Sequence, residues 1–423
     1  MKTKNVLLSL LIAVLTVFSS YSQIKTTSAQ DGDWANPLTW DCTCIPTPKD
    51  TVIINHDVTL STMWLDSGAV TVNYGASLRE ATPGLLFSFV KGEFVNSGNV
   101  EFTLLLIGSG TIINNDSMMV DSCLWNSGNF TNNGYLGNLD SITNANIFIN
   151  NQTGTLLADN FRNLDTVENF GIITADSMLN YEAYFLNDSV VNHTDFSNID
   201  GIPDPAYSYT NQGIMNISNN FYNSGHIYNS DAAADSGIIF IGGNFYNGDT
   251  LGHDARFRLR DGFVQVDGDF LNTDTIFGDA GGQFCVADSS TNSSTGYMEG
   301  NFDFCDQTGL QDIDLNTGYV GGSITYCSTP CGTGTTETAD NDDQFVKIYP
   351  NPFNHFATIE FDADFKNAFL KIYDITGKNI ITRGIADSGS IMIDRRNLKQ
   401  GMYFFTISST EGKDALKGKF IVE

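Results

Sequence analysis

Basic residues are scarce in this 423-residue chain: Lys and Arg total 21 against 49 Asp and Glu, a formal net charge of -28. Nucleic-acid binding is excluded as a main role, because contact with phosphate needs Lys and Arg to displace counterions. No apolar stretch long enough to span a bilayer follows the first 22 residues. Nowhere does an apolar 3.6-residue period persist for three turns, so long amphipathic helices are absent. The five histidines, His56, His193, His226, His253 and His355, are scattered, and no His-x-x-Glu-His or Gly-x-Ser-x-Gly string occurs. Disorder is excluded in turn by a hydrophobic fraction of 41% and an aromatic fraction of 12%.

The missing positive charge is unevenly distributed. Residues 345–423 hold 11 basic and 9 acidic residues, and residues 1–22 hold two Lys and no acid. Subtracting both from the totals leaves the segment 23–344 with 8 basic and 40 acidic residues, a net of -32. A nearly neutral tail is joined to an acidic body.

Lys2 and Lys4, the apolar run 6–18 and the small residues Ser20 and Ser22 read as a secretory signal over 1–22, cleaved between Ser22 and Gln23. The run falls short of the ~20 residues of a spanning helix, so no transmembrane segment is expected in the mature chain. Export would place the cysteines in an oxidising compartment.

A repeat dominates the body, assigned to 90–327. Asn96, Asn114, Asn132 and Asn150 are each 18 residues apart, and the series continues through Asn169, Asn187, Asn211, Asn247 and Asn272, with Asn223 inside one interval. Later intervals lengthen to about 24 or 25. A fixed period of this size means one supersecondary unit stacked on its neighbours. Between the turns lie short alternating segments such as 237–241 and 262–267, with the period-2 pattern of strands. The predicted fold is therefore all-β: a right-handed parallel β-helix whose corners carry Asn and Gly, Gly for positive φ and Asn for hydrogen bonds to the backbone or to the next rung. An antiparallel sandwich array using the same turn chemistry is the alternative.

Residues 23–89 are read as an N-terminal cap and first strands, with Trp34 and Trp40 covering the open end of the stack. A sugar-stacking platform is the functional alternative for these two rings. The segment resembles the openings that precede β-helical or adhesin-like bodies in secreted Bacteroidetes proteins.

The tail carries the most specific motifs. Tyr349-Pro350-Asn351-Pro352 opens it, Tyr373-Asp374-Ile375-Thr376-Gly377-Lys378 follows, and Gly401-Met402-Tyr403 precedes a last strand. In this order at the C-terminus they resemble the type A C-terminal sorting domain of the type IX secretion system. The resemblance implies passage through the outer membrane by that machinery, removal of the domain, and a body left attached to the cell surface or released. Pattern alone predicts a small Ig-like sandwich of about seven strands over 345–423, with 374–377 as a hairpin connection, behind a polar, acidic linker at 328–344.

Candidate chemistry is sparse. Cys42 and Cys44 fall in the cap, and Cys285, Cys305, Cys327 and Cys331 near the end of the coil at rung-like spacings, so these six are candidate disulfide partners and Cys123 is the odd thiol. Zinc is the sharper alternative for them, but no His lies nearby and no two-residue knuckle spacing occurs. Arg256, Arg258 and Arg260 alternate with Phe257 and Leu259, which puts three guanidiniums on one strand face beside His253, Asp254 and Asp261. Such a face either grips an anionic glycan or offsets local acid repulsion. The pairs Asp267/Asp269, Asp312/Asp314 and Asp342/Asp343 are a weak calcium signal that matches no known loop; no other cofactor is expected. Asp-Ser/Thr-apolar triplets, among them 50–52, 116–118, 165–167 and 274–276, resemble an O-glycan acceptor signal of exported Bacteroidetes proteins, and equally mark a turn passing into a strand. The expectation is a non-enzymatic surface or secreted adhesin-like or structural solenoid, with surface or extracellular glycan as its partner. A β-helical lyase or hydrolase acting on an anionic glycan is the competing class.

Overall fold

A computed structural model describes residues 23–423 except 61–62, 83–86, 200–207, 231–236, 250–252, 309–311, 329–330, 332–345, 350–352, 354–355, 362–367, 374–378, 386–389, 395–397, 410–415 and 423. The signal segment 1–22, with Ser22, lies outside the described residues, and Gln23 is exposed.

Among the described residues the strand ladders between Lys25 and Tyr326 are parallel, with one isolated antiparallel bridge at Ser28 and Trp40, and the chain coils through about 13 turns. Three ladders run along the stack. The first passes through Lys25–Thr27, Thr51–Ile54, Ala69–Val72 and Glu93–Asn96, and onward rung by rung. The second starts with Gly32–Asp33, Asp57–Leu60 and Ser77–Glu80. The third starts with Met63–Leu65 and Phe87–Val90. Longer strands such as Asn99–Ile107 bend across a corner and serve the second and third ladders in turn.

Alternation places every second side chain inward. Four-residue strands such as Thr111–Asn114 and Thr166–Asn169 accordingly bury their second and fourth residues. Inward side chains from successive rungs form one continuous core running from Trp40 and Val52 to Phe304 and Ile324. Aromatic rings stack directly between rungs: Phe130 on Phe148 at 5.1 Å, Phe221 on Phe245 at 5.1 Å and Phe245 on Phe270 at 5.6 Å.

The parallel pairing reaches back to Lys25, well ahead of position 90 where the repeat first shows in the sequence. The early rungs carry Ile54 and Val72 at the corner that later holds Asn, so the marker is missing while the coil is present. Trp40 is buried in the first turns, packed edge-on against Trp34 at 5.0 Å and donating from Nε1 to the Trp34 carbonyl at 2.9 Å. It belongs to the core and offers no platform.

The C-terminal residues form two antiparallel sheets. Val346–Tyr349, Phe356–Phe361 and Ser390–Asp394 make one; Asn379–Ile385, Ala368–Tyr373, Gly401–Ser409 and Leu416–Val422 make the other, in that order. Side chains from both, including Ile359, Ile393, Ile372, Phe405 and Phe420, share one core. Pro350, Asn351, Pro352, Asp374, Gly377 and Lys378 lie outside the described residues; the strands Ala368–Tyr373 and Asn379–Ile385 pair antiparallel. Tyr349 ends its strand, Tyr373 is half-buried, and Gly401 opens its strand at φ 156°. Buried Tyr403 stacks on Phe420 and donates its hydroxyl to the Lys399 carbonyl at 2.8 Å.

Candidate functional site

The Asn series is the feature that the fold rearranges most. It resolves into two separate ladders at two corners. One, closing the first-ladder strands, links Asn96, Asn114, Asn132, Asn150, Asn169, Asn187, Asn211 and Asn229 through Nδ2 to Oδ1 bonds of 2.8–2.9 Å. The other, closing the third-ladder strands, links Asn126, Asn144, Asn163, Asn180, Asn198, Asn223, Asn247, Asn272, Asn292 and Asn316 at 2.8–3.0 Å. Asn223, Asn247 and Asn272 thus do not continue the series of Asn96. The intervals lengthen while the register of the flanking strands stays intact.

Apart from exposed Asn316, these amides are buried, and a buried primary amide is tolerated only when its donors and acceptor are engaged. Asn96 shows how. Its Nδ2 donates to Asn114 Oδ1 and to the Ser117 carbonyl, both at 2.8 Å, while its Oδ1 accepts the Gly98 N–H at 3.0 Å. Positive φ explains some corner glycines, such as Gly75 at φ 79° and Gly248, next to Asn247, at φ 102°, but not all: Gly98 and Gly128 are not in the left-handed region. A Cβ on Gly98 would meet the carbonyls of Ala76 and Asn73, and one on Gly128 those of Gly110 and Gly108. Close approach of backbone to the rung beneath requires the glycine.

Arg256, Arg258 and Arg260 do share the outer face of Arg256–Leu259 and its continuation, with Phe257 and Leu259 buried. Each guanidinium already faces a carboxylate. Arg256 bonds Asp254 through Nε at 3.0 Å and through Nη2 at 2.9 Å, and this pairing raises its pKa. Arg258 Nε meets Asp279 Oδ2 at 2.6 Å, and Arg260 Nε lies 3.3 Å from the same oxygen. Tyr228 and Phe277, one rung to either side, sandwich Arg258 at 5.9 and 5.7 Å. Asp261 accepts from Ser230 at 2.7 Å, and His253 is held by Asp249.

The cysteines pair as Cys42–Cys44, Cys285–Cys331 and Cys305–Cys327, with Cys123 free and half-buried. Cys285 and Cys305 are direct register partners on adjacent rungs, so the two bridges pin the last rungs to the segment that leaves the coil. Among the described residues no group of three or more His, Cys, Asp or Glu is arranged to hold a metal. Asp314 is engaged by Ser290 and Thr308, and Asp269 by Ser289; Asp342 and Asp343 lie outside the described residues. In the triplets, Thr51, Ser117, Thr166 and Thr275 each open a strand with the hydroxyl residue outward and the next residue buried.

Among the buried ionisable residues, Glu80, His193 and Asp306 had no role assigned from the sequence. Glu80 stands inward between Leu60 and Phe102 and accepts the Thr103 N–H at 2.7 Å and its hydroxyl at 2.6 Å. Asp306 is buried and accepts the Thr308 N–H at 2.8 Å and its hydroxyl at 2.6 Å. His193 sits inward between Ala175 and Ile217 with its ring on Phe196 at 6.0 Å; burial lowers its pKa to about 4, opposed only in part by the Ala175 backbone. Counting inward positions from the strand period would have found His193, which falls where Ala175 and Ile217 fall in their rungs.

Residues 347–423 match the family described as "Secretion system C-terminal sorting domain". No curated protein matches the chain. Among solved structures, the chain is similar over 22% of its length to PorZ, an essential bacterial surface component of the type IX secretion system of Porphyromonas gingivalis, at 22% identity and a TM-score of 0.17. It is also similar over 88% of its length to the chitinase ChiW from Paenibacillus sp. str. FPU-7, at 11% identity and a TM-score of 0.15. The chain spans 13% and 24% of those two proteins. The protein is a parallel β-solenoid that ends in a type IX secretion system C-terminal sorting domain.

Proposed function

We propose that the solenoid is a non-enzymatic adhesin-like or structural component of the cell surface or its surroundings, delivered by the type IX machinery that the sorting domain addresses. The observation that carries this reading is the repetition itself: three ladders hold the same side-chain positions in register for rung after rung. Exposed Asn115 and half-buried Asn133 and Asn151 illustrate it, forming an outer column beside the buried one. Identical contacts spaced at the ~4.8 Å rung separation favour weak binding sites that add through avidity to a repetitive partner such as a surface or extracellular glycan. The Arg256 to Arg260 face supports the non-enzymatic reading, because its three guanidiniums are committed to Asp254 and Asp279. An anionic glycan would have to displace those carboxylates.

Incubating the chain from Gln23 onward with a panel of anionic and neutral polysaccharides tests the proposal. Retention without release of shorter products is the expected result. Product release that disappears in Arg258→Ala would overturn it in favour of a lyase or hydrolase. Delivery is tested separately: removal of residues 345–423 should leave the protein inside the outer membrane.

A further inference from the structure

On the second ladder the outward column changes character along the stack. Ser77, Asn99, Ser117, exposed Tyr135 and Thr155 occupy it in the early rungs, whereas Ile172, Val190, Ile214, Ile238 and Phe263 occupy it later, in direct register with one another. With Phe240 they form an apolar cluster separate from the main core. These side chains point away from the coil, yet Val190, Ile214 and Ile238 are only 6%, 5% and 6% exposed. Something outside the coil covers them, and the strand Asn379–Ile385 of the C-terminal domain packs against the strands Val190–Ile199 and Ile214–Ile217.

That strand is the outermost of its four-stranded sheet. An outer strand is a template for unwanted pairing and is normally blunted or covered. At the opposite edge the domain manages this internally: Phe353 bridges to Val422 and donates its N–H to the Ile421 carbonyl at 3.1 Å. At the Asn379–Ile385 edge the cover is the flank of the solenoid. Charge agrees with the placement: burial raises the pKa of Asp267, at the end of the Phe263 rung, and Lys371 on the neighbouring strand opposes part of that rise.

We propose that the apolar stripe is a docking surface for the chain's own C-terminal domain, serving to shield the outer strand Asn379–Ile385 for as long as body and domain are one polypeptide. Departure of the domain then uncovers both surfaces at once. This inference does not depend on the adhesin reading. It concerns what the body does for the sorting domain.

Amide hydrogen exchange on the full chain, followed by mass spectrometry, tests it. In Ile214→Asp/Ile238→Asp, peptides covering 379–385 should exchange at least about tenfold faster, while those covering 416–422 and 184–187 keep their protection. The milder pair Val190→Thr/Ile214→Thr, which keeps β-branched side chains, should give the same pattern at smaller amplitude and decides the matter if the Asp variant loses protection at 184–187. Unchanged exchange at 379–385 would overturn the proposal. So would equal loss at 379–385 and 416–422, because the flank would then be holding the whole domain folded rather than covering one edge.

Discussion

Asn169 sits in the middle of the first amide ladder, and replacing it by Ala tests how much the corner columns contribute. Its Oδ1 accepts from Asn150 Nδ2 at 2.8 Å and from the Gly171 N–H at 3.3 Å; its Nδ2 donates to Asn187 Oδ1 at 2.8 Å and to the Val190 carbonyl at 3.2 Å. Asn150 keeps bonds to the Gly154 and Ile172 carbonyls, and Asn187 Oδ1 keeps the Ser189 N–H, so the loss is shared among groups that are only partly stranded. A buried group left unsatisfied costs about 1–3 kcal/mol, and two such equivalents plus the small void give about 3–5 kcal/mol for Asn169→Ala. Asn316→Ala is the reference, because it removes the exposed terminal member, which makes one ladder bond at 3.0 Å, and should cost under about 1 kcal/mol. Urea unfolding of both variants, with amide exchange at Gly171 to locate the effect, reads the difference. Asn169→Ala costing no more than Asn316→Ala would refute the reasoning, since the ladder would then be a consequence of the coil and not a support for it.

Three further outcomes follow from the geometry. His193 has a folded-state pKa near 4 against an ordinary 6.5, so its burial leaves stability intact above about pH 6.5 and removes about 3 kcal/mol as pH falls from 6.5 to 4. The difference in urea midpoint between His193→Leu and the parent protein should change across that window and be flat above it; a flat difference throughout would show that the imidazole is not buried. Gly128→Ala should destabilise by about 2 kcal/mol or more because its Cβ meets the Gly110 and Gly108 carbonyls, while Gly322→Ala, with nothing within 4 Å, should be nearly neutral by thermal unfolding. Reduction opens the bridges Cys285–Cys331 and Cys305–Cys327, with separations of 46 and 22, and on chain-entropy grounds costs about 3–4 kcal/mol each, so proteolysis should then begin at the C-terminal rungs. Cys123→Ser should leave that pattern unchanged.

Local physics was legible from the residues alone. Two-residue alternation names a strand wherever it occurs, an 18-residue Asn period names a stack, and the tail motifs survive as a linear string whatever the body does. These signals need only neighbours in sequence, and they gave the parallel solenoid and the sorting domain. The period could not say how many corners it marked, because two amide columns with the same step superpose in one dimension. Only the coil separates Asn96 from Asn126, placing one behind the first ladder and the other behind the third. Contacts between distant rungs were hidden for the same reason. Asp279 neutralises Arg258 from 21 residues away, and Cys285 finds Cys331 rather than Cys305. Ile214 and Ile238 read as ordinary strand residues until the C-terminal domain is seen to cover them. Sequence determines which side a residue takes within its strand, since that depends on a period of two; tertiary structure decides what meets it there, since that depends on where the chain returns.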